Sequence, residues 1–308
     1  MHVPVLLTET LQYLNATKGQ KFIDCTIGSG GHSIAIIKEN PSAQILGIDW
    51  DQVSLGKLQL EFAQKNLDRS IHLVWGNYQD LDKIAHANNF DSVDGILLDL
   101  GFSSSQIDDA ARGFSFQTNG PLDMRYSEQN PLRAADIVNR YKLKDLEKIF
   151  SQYGEEKFFR KVAFAIVRAR TTPIDNSIQL AEIIKNALPP FVRFKANDTL
   201  RRVFQALRIE VNHELENLKV VLPKALQLLK SGGRLVVISF HSLEDRMVKE
   251  FFNHEAKDCV CPPEFPTCIC DKASKVRILT RKVVVPLPQE VEENPRSASA
   301  KLRAIEKI

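Results

Sequence analysis

Residues 21–51, KFIDCTIGSGGHSIAIIKENPSAQILGIDWD, constrain the chain more than any other stretch. Phe22 to Cys25 reads as a short apolar strand and Gly28, Gly30 and Gly31 as a tight loop. Ile34 to Ile37 begins a helix, and Ile45 to Ile48 reads as a second strand that ends on Asp49. Glycines let the backbone approach a ligand at the C-terminal edge of a parallel sheet, and a carboxylate ending the next strand can accept both hydroxyls of a ribose. The ligand class this points to is a nucleoside. A dinucleotide fingerprint carries a third glycine where Ser33 stands, which disfavours a pyrophosphate. S-adenosylmethionine has no phosphate to seat and fits better; a glycine-rich turn with no ligand is the bland alternative.

Strand and helix signals keep alternating after Asp49. Val53 to Leu67 has helical spacing, Ile71 to Trp75 is rich in β-formers, Asp80 can cap a helix through Ala87, and Val93 to Leu98 is an apolar strand delivering Asp99. With no hairpin signal among them, these strands predict a parallel, doubly wound α/β sheet. The alternation stops at the polar loop Gly101 to Arg125, and from Asn130 to about Asn212 the pattern is helical. One helix there has the stripe Phe158, Phe159, Val162, Ala163, Ile166 and Val167, with Lys157, Arg160, Lys161 and Arg168 on another face. A second has Leu200, Val203, Leu207 and Val211 opposite Arg201, Gln205 and Arg208. The sheet resumes with a helix over 215–229, a turn at Ser231 to Gly233, a strand over 234–240, and a helix capped by Ser242. Residues 276–287 and 300–308 read as two late strands. The expected organisation is an α/β domain of residues 1–104 and 213–308 interrupted by an inserted loop and helical domain, 105–212.

Charge follows the same division. The net charge is only +3, but residues 133–202 hold fifteen Lys and Arg against eight Asp and Glu, a basic segment suited to nucleic acid. No apolar run approaches the roughly 20 residues needed to span a bilayer, and the N-terminus lacks the features of a signal peptide, so a cytoplasmic location without membrane association is expected. Four of the five cysteines, Cys259, Cys261, Cys268 and Cys270, form C-x-C-x6-C-x-C. In a cytoplasmic chain such clustering suggests a metal, zinc foremost, over disulfides, although C-x-C is a less usual zinc spacing and a loop of reduced thiols is the alternative.

IDCTIGSGGHS, DGILLDLGFSSSQIDDAARGFSF, GPLDMR, YGEE, TLRRVFQALRIEVNHEL, SGGRLVVISFHSLEDR and ENPRSASAKLRAIEK occur in order over nearly the whole chain. Together they resemble the ribosomal RNA small subunit methyltransferase H family. The resemblance implies a Rossmann-like methyltransferase sheet with an inserted helical substrate-recognition domain. It also implies transfer of a methyl group from S-adenosylmethionine to N4 of one cytidine in the decoding region of bacterial 16S rRNA; the small ribosomal subunit is the expected partner, with free rRNA and the assembled subunit both open as the substrate. Matched position by position, the family's cofactor residues fall on Gly30, Gly31, His32, Asp49, Tyr78, Asp99 and Gln106. Tyr78 stands where many relatives carry Phe. The cysteine cluster belongs to only part of the family, which implies that catalysis does not need it.

Cytosine N4 is a weak nucleophile because its lone pair is delocalised into the ring, so acceptors for the amino hydrogens would favour the transition state. Asp99, the Leu100 carbonyl and the loop at Ser103 to Ser105 are candidates. Many amino-methylating enzymes carry an Asp/Asn-Pro-Pro-aromatic tetrapeptide there, whereas this chain has Asp99, Leu100, Gly101 and Phe102; the catalytic group is left open, with Asp123 and His241 as candidates. Phe102, Phe114 or Phe116 could stack on an unpaired target base or anchor the loop in the core. The oligomeric state is open.

Overall fold

The computed structural model describes residues 4–101, 104–262, 265 and 267–308, with Ser104 and Ser105 as backbone only. They form two compact units, Met1–Gly101 with Asn217–Ile308, and Phe102–Glu216.

The first unit is built on seven strands: β1 (Lys21–Asp24), β2 (Gln44–Asp49), β3 (Ile71–Trp75), β4 (Val93–Asp99), β5 (Leu229–Ser239), β6 (Val276–Ile278) and β7 (Lys301–Lys307). Their order is β3-β2-β1-β4-β5-β7-β6, with β1 to β5 parallel and β7 antiparallel to both neighbours. Alternate residues point to opposite faces, so the continuous apolar runs of the central strands feed two cores. Ile23, Leu46, Ile96, Leu98, Leu235 and Val237 face one way, and Phe22, Ile45, Leu97, Val236 and Ile238 the other. The helices α1 (Leu7–Leu14), α2 (Gly31–Glu39) and α3 (Gln52–Gln64) cover the second face through Leu14, Ile36, Leu58 and Phe62. The first face is covered by α4 (Leu81–Ala87) through Leu81 and Ala85, and by two helices after the insertion.

The second unit holds α5 (Ser104–Asp108), α6 (Ala134–Arg140), α7 (Leu143–Gln152), α8 (Phe159–Ala169), α9 (Ser177–Ala187) and α10 (Ala196–Asn212). Its core collects the predicted stripes: Val162, Ala163 and Ile166 from α8, and Leu200, Val203, Leu207 and Val211 from α10. Buried Asn212 ties the preceding loop to α10. Its Nδ2 donates to the Met124 carbonyl at 2.8 Å, and its Oδ1 accepts from the Tyr126 N–H at 2.7 Å. Beyond His213, in the left-handed region at φ 51°, come α11 (Glu214–Leu228), α12 (Ser242–Glu255) and, later, α13 (Pro288–Glu293). Among the described residues no helix is long and apolar enough to cross a membrane.

Several local expectations change. The helical unit runs to Glu216 rather than to residue 212, because Glu214 and Glu216 accept from Tyr126 and Tyr153 of that unit at 3.1 Å each. Arg208 is not on an exposed face: it is 8 % exposed and clamps Glu214 through two hydrogen bonds of 2.7 and 2.9 Å. The turn expected at Ser231 to Gly233 lies within β5. His241, not Ser242, occupies the cap of α12, where its ring accepts from the Glu244 N–H and Glu244 reaches back to the backbone of residue 241. Of residues 276–287 only three form strand β6, because the N–H groups of Leu279 and Thr280 both point at the Ala304 carbonyl and end the ladder; Val284 returns as a single bridge to Leu302. Helix α1 carried no assignment from sequence.

Removing one partner of a buried pair leaves an uncompensated charge, which costs about 3 to 5 kcal/mol. Glu214→Ala should therefore lower stability by about 3 kcal/mol. A fall in the urea midpoint at unchanged slope is the expected reading; a shift worth under about 1 kcal/mol would mean that Arg208 finds water or another acceptor.

Candidate functional site

The chain leaves β1 towards β2 and β3 on one side and returns to β4 on the other, so the order reverses between β1 and β4. In such sheets ligands sit beyond the carboxyl ends of the strands at that reversal. Three strands end there on a carboxylate: β1 on Asp24, β2 on Asp49 and β4 on Asp99.

The glycine loop shapes the floor. Ile27 donates to the Ile48 carbonyl and Cys25 to that of Leu97, both at 2.9 Å, so the loop grows from the sheet edge itself. Gly28 has φ 51° and Gly30 φ 76°, and a Cβ on Gly30 would meet the Phe62 ring at 2.5 Å, so both conformation and space require glycine there. The Gly28 N–H donates to Asp49 Oδ2 at 2.9 Å and the Asp51 N–H to Asp49 Oδ1 at 2.8 Å, fixing that carboxylate. Each of its oxygens keeps capacity for another donor. Burial nevertheless dominates and pushes Asp49 up to about 6.

Asp24 lies deeper. It is 2 % exposed, accepts from Ser33 Oγ at 2.8 Å and is pushed up to about 6, first by burial and, against the lowering hydrogen bonds, by the charge of Asp49. This explains the residue standing in place of a third glycine: Ser33 supplies the hydroxyl that a buried strand-end carboxylate needs.

Asp99 is the most perturbed. Its backbone N–H donates to Thr26 Oγ1 at 2.7 Å, its Oδ2 lies 3.7 Å from His32 Nδ1, and its Oδ1 is buried with no hydrogen-bond partner among the described residues. A quarter of the side chain stays accessible. Burial first, then the charges of Asp24 and Glu244, push it up to about 8. His32 Nε2 lies 3.1 Å from the Val5 carbonyl, so a neutral ring donates there and turns Nδ1 to Asp99. Gly31 lies beside His32 at the start of α2, and Tyr78 follows β3 and packs against the core on the α4 side. Three carboxylates gathered at strand tips, with one oxygen unsatisfied, suit a ligand that brings positive charge and hydroxyl donors together.

The MraW methylase family matches residues 1–308. The chain belongs to that family. It is 46 % identical to ribosomal RNA small subunit methyltransferase H of Carboxydothermus hydrogenoformans, over 100 % of this chain and 98 % of that one. It is 44 % identical to the protein of the same name from Halothermothrix orenii with the same coverage, and 46 % identical to that of Thermomicrobium roseum over 100 % and 94 %. It is a methyltransferase.

The remaining candidates of this methylase are buried or already engaged. Gln106 is buried on α5 in the helical unit. Asp123, in the same unit, forks onto Arg125 through two hydrogen bonds of 2.8 Å, and that pairing holds it below the usual carboxylate range against its burial. His241 caps α12 and pairs Glu244 at 3.2 Å. Asp123 and His241 therefore have structural work in this arrangement. Phe114 stacks on Tyr126 at 5.8 Å and Phe116 meets Phe204 edge-on at 5.5 Å, so both anchor the helical core. Phe102, Ser103 and the side chains of Ser104 and Ser105 lie outside the described residues. Asp24, Thr26, Ser33 and Glu244 were missed from sequence; a carboxylate ending the apolar run of β1 was the one available signal.

Asp99 has its ordinary value of 3.8 when unfolded and about 8 when folded. The folded state thus binds its proton more tightly, and the stability this contributes is complete below about pH 4 and lost as the pH rises through about 8. Asp24 and Asp49 lose theirs lower, towards about 6. Asp99→Asn stays neutral and should flatten the fall in melting temperature of the ligand-free protein between about pH 6 and 9. Parallel profiles for variant and wild type would show that Asp99 is ionised throughout.

Proposed function

We propose that this methyltransferase uses S-adenosylmethionine to methylate the N4 amino group of a cytidine in the decoding region of bacterial 16S rRNA. The observation that carries the reading is the unsatisfied Asp99 Oδ1 beside Asp24 and Asp49 at the sheet's reversal point, in a chain whose relatives are named for the small-subunit ribosomal RNA.

The residues present fit that cofactor. A Cβ on Gly28 would meet only the Thr26 carbonyl, at 3.8 Å, so the loop backbone is bare there; Asp49 keeps acceptor capacity for ribose hydroxyls, and Tyr78 offers an aromatic wall for adenine. S-adenosylmethionine supplies an electrophilic methyl group on a sulfonium, together with an ammonium. Asp99 is the acceptor for that ammonium or for the target amine. Its ionised form pairs the positive charge, so cofactor binding releases the proton it holds in the ligand-free protein. Accepting a hydrogen bond from the N4 amino group at Oδ1 would favour pyramidal nitrogen and free its lone pair. Methylation at carbon-5 would need a cysteine nucleophile; Cys25, directly after β1, is 1 % exposed and burial pushes its thiol well above the usual range.

The helical unit is the RNA-recognition part of this reading. Arg160, Lys161 and Arg168 stand exposed on α8, with Phe164 54 % exposed among them. Phe191 and Phe194 are 74 % and 80 % exposed ahead of α10, with Lys195 Nζ 5.4 Å from the Phe194 ring centre. Cations interleaved with bare aromatic faces suit phosphates and unstacked bases.

Incubation with radiolabelled S-adenosylmethionine and unmethylated small subunits, followed by nucleoside analysis, should yield N4-methylcytidine. Label in another nucleoside, or none in any RNA, would overturn the substrate. Charge reversal at Arg160, Lys161 and Arg168 should weaken RNA binding and lower its log–log salt slope by roughly one for each phosphate no longer neutralised, with cofactor affinity unchanged. An unaltered slope would make them a solvated helix face.

A further inference from the structure

The connection from α12 to β6, residues 256–275, is closed at its base by two hydrogen bonds. The Lys275 N–H donates to the Glu255 carbonyl at 2.9 Å and the Ser274 N–H to Asp258 Oδ1 at 3.1 Å. Beyond that base Val260, Phe265 and Ile269 are 46, 48 and 68 % exposed, so apolar burial by these side chains does not organise the loop. What converges instead is sulfur.

The Sγ atoms of Cys259, Cys261, Cys268 and Cys270 all lie within 4.8 Å of one another. Cys268 and Cys270 are 3.5 Å apart, Cys259 and Cys270 3.8 Å, and Cys261 and Cys268 4.0 Å. A disulfide would need about 2.05 Å. Four thiolates at about 2.3 Å around one tetrahedral ion have edges of about 3.8 Å, the middle of the distances here. The two C-x-C turns also brace each other reciprocally. The Val260 N–H, in the first turn, points at Cys270 Sγ of the second at 3.4 Å, and the Ile269 N–H, in the second, points at Cys261 Sγ of the first at 3.4 Å. A third donor, the Cys261 N–H, lies 3.3 Å from Cys259 Sγ. Backbone donors aimed at sulfur favour the thiolate form and orient it as metal ligands are oriented.

We propose that Cys259, Cys261, Cys268 and Cys270 bind one zinc ion as a closed tetrathiolate that clips the loop between α12 and β6. An all-sulfur tetrahedral set excludes magnesium and calcium, which take oxygen ligands, and suits zinc. Four protein ligands leave no open position for water or substrate, so the ion is structural and lies outside the methyl-transfer chemistry. It substitutes for the apolar packing that Val260, Phe265 and Ile269 do not supply, and its binding is coupled to the loop's order.

The test uses the full chain purified without a histidine tag or chelator. Elemental analysis should find about one zinc per chain, and the four loop thiols should resist alkylation until a chelator strips the metal, while buried Cys25 stays protected either way. Cys268→Ser should lose the zinc and be cut faster by trypsin at Lys257 and Lys272; if that variant does not fold, thiol protection in the wild type decides alone. Metal-free protein whose four thiols alkylate at once, disulfides joining them on peptide mapping, or stoichiometric iron in place of zinc would each overturn the assignment.

Discussion

Like charges at neighbouring strand tips are what the α/β unit has to accommodate. Because the strand order reverses between β1 and β4, Asp24 and Asp99 end adjacent strands, and Asp49 ends the next one over. Asp49 raises the proton affinity of Asp24, and Asp24 that of Asp99, on top of the larger effect of burial. Around them the protein places its donors selectively: Ser33 serves Asp24, the loop backbone serves Asp49, and one oxygen of Asp99 receives none among the described residues. The group left most protonated is the one whose ionisation a cationic ligand would favour.

The same selectivity explains the glycine loop. Its N–H groups hold the Asp49 carboxylate and continue the ladders of β2 and β4, while Thr26 ties the loop to the tip of β4 through a hydroxyl. The carboxylates are thus positioned by backbone rooted in the sheet, which holds a site more rigidly than long side chains can. The strain that Gly28 and Gly30 avoid is the condition for this arrangement.

Outside the strand tips, polar groups work as fasteners. Arg208 and Glu214 neutralise each other inside the helical unit, Asn212 takes up the backbone of the polar loop, and His241 with Glu244 closes the first turn of α12. Such residues look catalytic in a sequence because they are polar, paired and set among apolar neighbours. The hydrogen bonds that Arg208, Glu214 and Asn212 make distinguish them from Asp99.

The sequence by itself determined the strand, glycine-turn, helix, strand unit and the placement of Asp49 and Asp99 on strand tips, because side-chain period and turn chemistry are local properties. It also carried the apolar stripes of α8 and α10, whose spacing is set by the helix, and the ordered motifs of the family. Only the tertiary structure decided that Asp24 stands beside Asp99, since this depends on β1 lying beside β4, strands some seventy residues apart, and it showed Ser33 as the hydroxyl partner of Asp24. It alone turned Arg208 inward to Glu214, made His241 a cap, drew Phe114 and Phe116 into the helical core and brought two C-x-C turns face to face. Periodicity says which face a residue takes. Whether a charge on that face meets water or a partner depends on what the rest of the chain packs against it.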